Sequence, residues 1–311
     1  MLRSQEDWIW DSWIADDGER FHLFFLKAPR ALEDPGLRHT AATIGHASSL
    51  DLVDWDVHPD ALGPSEHGFD DLALWTGSVA RGDDGLWRLY YTAVNRGGRG
   101  VHDQRIGFAE SEDLMTWRRA AAEPLVEPDP CWYRMLGDGS GASETWRDPF
   151  VFRDGDVWHM LITARDPTAE RLFDGVLAHA RSRDMRTWEL GPPLIEAANF
   201  GQLEVAQVRQ IDGQWLLVFT CHPEEQGEPR PFSTWYVLGD SALGPFDLTT
   251  AKPFEDEPKL FAAPLVQRRD GSWAFVGFLN QEPEGILSFD IVDPIAVTLS
   301  DGTLRAVLEN P

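Results

Sequence analysis

Residues 84–93, Asp84-Gly85-Leu86-Trp87-Arg88-Leu89-Tyr90-Tyr91-Thr92-Ala93, join a tight turn to an alternating strand. Asp-Gly between two apolar runs is a strong hairpin signal, because the turn needs positive φ and glycine supplies it without steric cost. The arrangement recurs four more times: Asp17-Gly18 before ERFHLFFLKA, Asp154-Gly155 before DVWHMLITA, Asp212-Gly213 before QWLLVFTC, and Asp270-Gly271 before SWAFVGFL. The turn glycines, Gly18, Gly85, Gly155, Gly213 and Gly271, lie 67, 70, 58 and 58 residues apart. A second marker follows the hairpins: SLDLVDWDV from Ser49, SEDLMTWRR from Ser111, SRDMRTWEL from Ser182, and a degenerate SALGPFDL from Ser241. Each reads as an outer loop and strand whose Leu, Met or Trp packs the sheet.

Helical periodicity is almost absent, and each repeat has room for four strands. Radial repetition of such sheets protects edges that would otherwise aggregate. The sequence therefore predicts an all-β protein, a five-bladed β-propeller occupying residues 1–311 as a single domain without a C-terminal β-sandwich. A strand from the other terminus is expected to close the fifth blade. A large sandwich or two stacked β-domains would not generate the regular turn period.

Composition narrows the partners. A hydrophobic content of 42% over 311 residues is ample for a core. The net charge of −25 argues against nucleic acid and anionic membranes, whose recognition needs clustered Lys and Arg. No apolar leader or long apolar run occurs, which reads as a soluble, cytoplasmic protein. Cys131 and Cys221 lack metal-ligand spacing and make no disulfide framework, although one bridge between them is left open.

The innermost strand of each blade should precede its Asp-Gly turn and line a central tunnel. Seven residues before the turn glycine stand Asp11, Ser78, Asp148, Ala206 and Pro264, and nine before Gly213 stands Glu204. Asp11, Asp148 and Glu204 therefore converge from three blades on one end of the tunnel. Like charges in a partly desolvated funnel push their pKa values apart, which is the condition for acid–base work. Two carboxylates flanking a glycosidic bond suffice for its hydrolysis, and a third can grip ring hydroxyls. Arg147 adjoins Asp148 and so points to the opposite face, bracing a neighbouring strand, unless a bulge at Pro149 brings both inward. Of the 14 tryptophans most must be core. Trp75 and one of Trp10 or Trp13 are expected to touch a sugar ring, with Ser78, Gln202 and His222 as polar candidates. His179 and His222 otherwise read as structural histidines in strand contexts. Asn95–Gly100 (NRGGRG) opens no helix and reads as a flexible loop over the tunnel mouth, not a phosphate loop. No zinc constellation or Ser-His-Asp arrangement competes, and no cofactor or metal is called for.

In these motifs the chain resembles the five-bladed propeller glycoside hydrolases of families 32 and 68 (clan J), the invertases, fructanases and levansucrases. WDSW at Trp10–Trp13 looks like the family 68 nucleophile motif, which implies Asp11 as nucleophile. WTGSV at Trp75–Val79 is similar to their WSGSA and implies that Trp75 helps to form a fructosyl pocket. WRDPFVF from Trp146 looks like the shared Arg-Asp-Pro motif, which implies Asp148 as transition-state stabiliser, and Glu204 then falls at the acid/base position. Two departures stand out: Val205-Ala206 follows Glu204 where these families usually carry Arg-Pro or Cys-Pro, and FTCHP carries no arginine. The resemblance implies a retaining β-fructofuranosidase acting on a small carbohydrate. Fructosyl transfer, an inverting family 43-like arabinan-active enzyme and a non-catalytic sugar-binding propeller are the rivals.

Overall fold

At each of the five Asp-Gly turns the glycine has positive φ, from +58° at Gly155 to +95° at Gly18. A Cβ built on any of the five would meet no atom within 4 Å. Conformation, and not space, therefore reserves these positions for glycine. The computed structural model describes residues 1–97, 103–120, 122–135, 145–226, 233–254, 260–279 and 289–307.

Each turn joins the first two strands of a four-stranded antiparallel sheet. Blade 1 comprises β1 (Asp7–Asp16), β2 (Phe21–Pro29), β3 (Thr43–Ser49) and β4 (Asp56–Leu62). Blade 2 comprises β5 (Ala73–Arg81), β6 (Trp87–Val94), β7 (Gln104–Ser111) and β8 (Arg118–Arg119). Blade 3 comprises β9 (Arg147–Asp154), β10 (Val157–Arg165), β11 (Gly175–Ser182) and β12 (Glu189–Leu190). Blade 4 comprises β13 (Glu204–Ile211), β14 (Gln214–Thr220), β15 (Thr234–Gly239) and β16 (Lys252–Pro253). In blade 5 the inner strand is split into β17 (Leu260–Phe261) and β18 (Leu265–Gln267), and its partner into β19 (Trp273–Phe275) and β20 (Phe278–Leu279). The outer hairpin is β21 (Ile295–Ser300) and β22 (Thr303–Ala306).

All four strands of the fifth sheet come from the C-terminal part of the chain, in the order β18-β19-β21-β22. This corrects the expected closure by a strand from the other terminus. A sixth Asp-Gly turn at Asp301-Gly302 closes β21 onto β22, so blade 5 supplies its own outer strands. The N-terminus adds an isolated bridge, in which Leu2 and Ile291 exchange backbone bonds of 2.9 and 3.1 Å.

The middle strands are buried on both faces, which is why they read as nearly continuous apolar runs. Along β10, Met160 and Ile162 enter the core shared with blade 2, while Leu161 enters the core shared with blade 4. The second marker also has a local cause. In each full copy Ser and Asp accept backbone N–H groups, as when Ser182 Oγ takes Met185 N–H (2.8 Å) and Asp184 Oδ1 takes Thr187 N–H (2.7 Å). These bonds hold Leu52, Leu114 and Met185 at φ of +71°, +62° and +60°, each plugging its sheet as a buried residue.

Candidate active site

Every inner strand carries one residue more than its partner, at the same height. Asp11 is extra between the pairs Trp10–Leu26 and Ser12–Phe25, and Thr76 between Trp75–Thr92 and Gly77–Tyr91. Asp148 and Pro149 together oppose Ile162, and Val205 and Ala206 oppose Phe219. In blade 5 the residues between Phe261 and Leu265 outnumber those between Phe275 and Phe278 by one. A bulge bends the strand and re-aims its side chains. At Asp148, Val205 and Ala262 the bend takes the backbone to φ of +59°, +50° and +44°.

The bulge decides the open question at Arg147. Its guanidinium turns inward with Asp148, binding Glu204 Oε1 and Gln202 Oε1 through Nη2 and lying 3.5 Å from Asp148 Oδ2 through Nε. Three carboxylates and one guanidinium thus share the end of the tunnel. Asp11 remains open on one side and accepts a 2.6 Å bond from Thr76 Oγ1. Burial pushes its carboxyl up to about 6, against the pull of the Thr76 bond and with the charge of Glu204 adding to the rise. Asp148 is 6% exposed, and burial, opposed by Arg147 and reinforced by Glu204 and Asp11, pushes it up to about 7.

Thr163 Oγ1 has one hydrogen, and the Leu203 carbonyl at 2.8 Å can only accept. The same hydroxyl also lies 3.3 Å from Asp148 Oδ2, the longer of its two contacts. The Val205 N–H, freed by its bulge, reaches Asp148 Oδ2 at 3.2 Å.

Blade 2 supplies no acid yet holds two of them. Thr76 binds the Asp11 carboxylate, the Asp148 N–H donates to Thr92 Oγ1 at 2.8 Å, and Thr92 Oγ1 donates to the Thr76 carbonyl at 2.9 Å. Sequence reasoning missed both threonines, although Thr76 stands nine residues before its turn glycine, the offset that singled out Glu204. It also missed Arg38 and His39, which the short turn Pro35–Thr40 brings to the mouth. The Trp75 indole donates to the His39 carbonyl at 2.8 Å, and the His39 ring lies edge-on to Trp10 and Trp75. Burial, helped by the charges of Arg38 and Arg147, pushes His39 down to about 4.

The other candidates divide. Trp75 is half-buried at the mouth, Trp10 is buried beneath Arg38, and Trp13 is buried in blade 1, stacked on Phe24 at 6.4 Å. Ser78 is a staple: its hydroxyl donates to the Pro149 carbonyl at 2.7 Å and accepts Val151 N–H at 3.0 Å, tying β5 to β9 and committing its only hydrogen. Gln202 is buried and engaged with Arg147. His222 caps the short turn Pro223–Glu225 and does not lie in a strand. His179 pairs with His159 across 2.9 Å and stacks on it. Cys131 and Cys221 are both free. Residues 98–100 of the NRGGRG stretch lie outside the described residues. Among the described residues no cluster of His, Cys, Asp and Glu is arranged to hold a metal.

Comparison with known proteins follows this geometry. The family model described as "Glycosyl hydrolases family 32 N-terminal domain" matches residues 8–282. A probable sucrose-6-phosphate hydrolase of Vibrio cholerae is 27% identical over 282 residues, covering 88% of this chain and 47% of that protein. The sucrose-6-phosphate hydrolase of Escherichia coli is 30% identical over 188 residues, covering 55% and 35%. The chain thus spans less than half the length of these relatives. Among solved structures, an inulosucrase from Halalkalicoccus jeotgali bound to kestose superposes with a TM-score of 0.80 at 24% identity, covering 97% of this chain and 87% of that one. A β-fructofuranosidase from Bombyx mori gives 0.74 at 19% identity, covering 98% and 64%. At these identities the structural likeness is one of fold.

Proposed function

The chain belongs to glycosyl hydrolase family 32, and on that premise we propose that it is a retaining glycoside hydrolase of β-fructofuranosides. The observation that carries the reading is the meeting of Asp11, Asp148 and Glu204 at one end of the tunnel, each in or beside a bulge, with the Arg147 guanidinium held between Asp148 and Glu204. Glu204 gives a proton to the glycosidic oxygen while Asp11 attacks the anomeric carbon, so that the bond to the leaving sugar breaks as an ester to Asp11 forms. Water then attacks the same carbon, gives its proton to Glu204 and releases Asp11 and the free sugar. Asp148 grips the ring hydroxyls as oxocarbenium character develops. A carboxyl that burial pushes up to about 7 suits this role, since it can accept from one hydroxyl or donate to another.

The test is turnover of Asp11→Asn and Glu204→Gln on a panel of sucrose, fructo-oligosaccharides and arabinofuranosides. The wild-type protein should release fructose, and both variants should lose at least two orders of magnitude. In Glu204→Gln, a fructoside with an activated leaving group should leave one fructosyl unit on Asp11, visible by mass spectrometry. Near-normal turnover in either variant would sink the assignment. A second reading, transfer of the fructosyl unit to another sugar instead of water, draws on the family 68 resemblance of Trp10–Trp13. Accumulation of oligosaccharides at high sucrose would favour it.

A further inference from the structure

Two arginines stand near the carboxylates, and they are held in different ways. Arg147 is engaged by Glu204, Gln202 and Asp148. Arg38 has no carboxylate within ion-pair distance among the described residues, and its buried Nε has no acceptor. Its Nη1 donates to the Pro35 carbonyl at 2.9 Å, and its guanidinium carbon stands 5.6 Å from the Trp10 ring centroid and 5.1 Å from that of Phe289. The turn carrying it is fixed at both ends, by Asp34 Oδ1 accepting Gly36 N–H at 2.8 Å and by the Trp75–His39 bond.

We propose that Arg38 is a positioning residue for Asp11: clamped between two aromatic rings, it supplies the counter-charge to the nucleophile that Arg147, committed to Glu204 and Asp148, does not. Even partial burial of a guanidinium without an acid partner is unfavourable, and the aromatic faces offset only part of that cost. The electrostatic attraction between Arg38 and Asp11 supplies a further part. Its enclosed Nε makes no bond, so the influence of Arg38 on Asp11 is that of its charge. The groups around Asp11 are Thr76 from β5, Asp148 and Arg147 from β9, Glu204 from β13, and Arg38 with His39 from the Pro35–Thr40 turn. Two are acids, Asp148 and Glu204, and three are basic, Arg147, Arg38 and His39. Removing Arg38 leaves Asp11 facing two other carboxylates and one guanidinium already claimed by them.

The inference rests on the fructofuranosidase reading for its kinetic consequence, so two measurements are needed. The first is the pH profile of kcat/KM for wild type, Arg38→Lys, Arg38→Gln and Arg38→Met. In the two neutral variants the acid limb should move up by about 0.5–1 pH unit, and in the lysine variant it should stay near wild type. The second is a carboxyl carbon NMR titration of Asp11 in the free protein, assigned with Asp11→Asn, where the same displacement should appear without any substrate. An unmoved Asp11 titration in both Arg38→Gln and Arg38→Met would overturn the role of Arg38, including where activity falls equally at every pH. Lack of wild-type turnover with a displaced Asp11 titration would instead overturn the substrate reading and leave the electrostatic role standing.

Discussion

An Asp148→Asn substitution removes a charge from the most enclosed position of the tunnel while keeping its shape. Asn adopts the left-handed region more readily than most residues, so the backbone at φ +59° is retained. The Asp148 carboxyl is pushed up to about 7 from an ordinary 3.8. Between those values the native state holds a proton that the unfolded chain has released, so native stability falls as pH rises through 7. Three units correspond to ~4 kcal/mol at most. The three acids titrate together and Arg147 loses a neighbour, so a net gain of ~1–2 kcal/mol above pH 7 is the working figure. For a chain of 311 residues that is a rise in Tm of ~1.5–3 °C. At pH 4 the native group is protonated and the unfolded one only about half ionised, so the difference should shrink to ~0.5 kcal/mol or less. Thermal unfolding of both proteins at pH 8, 6 and 4, with fructose release measured at pH 7, provides the check. Turnover should fall by ~100-fold or more as the variant gains stability. A variant less stable at pH 8, or a gain of equal size at all three pH values, would refute the reasoning.

Thr76→Val should raise the acid limb of kcat/KM by about one pH unit, because a bond to a charged carboxylate is lost; Thr76→Ser should restore it, and an unmoved limb in the valine variant would break the link. Ser78→Ala should lower stability by ~1–3 kcal/mol by stranding the Pro149 carbonyl and the Val151 N–H, with KM unchanged; a raised KM with full stability would return Ser78 to the substrate contacts. A thiol reagent should find one reactive cysteine, Cys131, in the native protein and two in urea, and two in the native state would contradict the buried Cys221. Burial holds His39 and His179 down at about 4 and His46 at about 3, so the stability they contribute is present above 6.5 and lost as pH falls towards 4. The urea midpoint should drop over that window, most steeply in the Asp148→Asn background, where the opposing contribution of Asp148 is gone; a flat midpoint there would count against it.

The fold was legible because its repeat lies in residues that backbone conformation reserves. Glycine at five positive-φ turns leaves a trace that no packing exchange can erase, and the inner-strand register follows by counting back from it. Counting also brought Asp11, Asp148 and Glu204 to one end of the tunnel, since offsets of seven and nine share a parity. It could not tell which way Arg147 points, because a one-residue bulge reverses parity locally and leaves no mark in composition. Ser78 shares the offset of Asp11 and Asp148, but position on an inner strand does not distinguish a hydroxyl facing a ligand from one facing the next blade. Arg38 and His39 lie between β2 and β3 without a counterpart in other repeats, so no reading of periodicity reaches them. The closure of blade 5 was misjudged because β17 and β18 are short and the Asp301-Gly302 turn joins the outer pair, not the inner.

The bulges explain more than the direction of the side chains. An extra residue leaves ladder N–H and C=O groups unpaired, and buried ones must find partners. Here many of them find side chains of the same or the next blade: the Thr76 carbonyl takes the Thr92 hydroxyl, the Pro149 carbonyl takes Ser78, the Asp148 N–H takes Thr92, and the Val205 N–H takes the Asp148 carboxyl. Gln207 repeats the device one blade on, accepting Leu265 N–H at 3.0 Å and donating to the Ala263 carbonyl at 2.8 Å. The irregularity that turns the carboxylates inward is thus what bolts neighbouring inner strands together at the height of the site. Rigid placement of three like charges and closure of the propeller are then one structural solution, because an acid here cannot shift without breaking a bond between blades. Blade 5 carries the same offset but fills it with Ala262, Ala263 and Pro264, which adds no fourth charge to a cluster already costly to ionise.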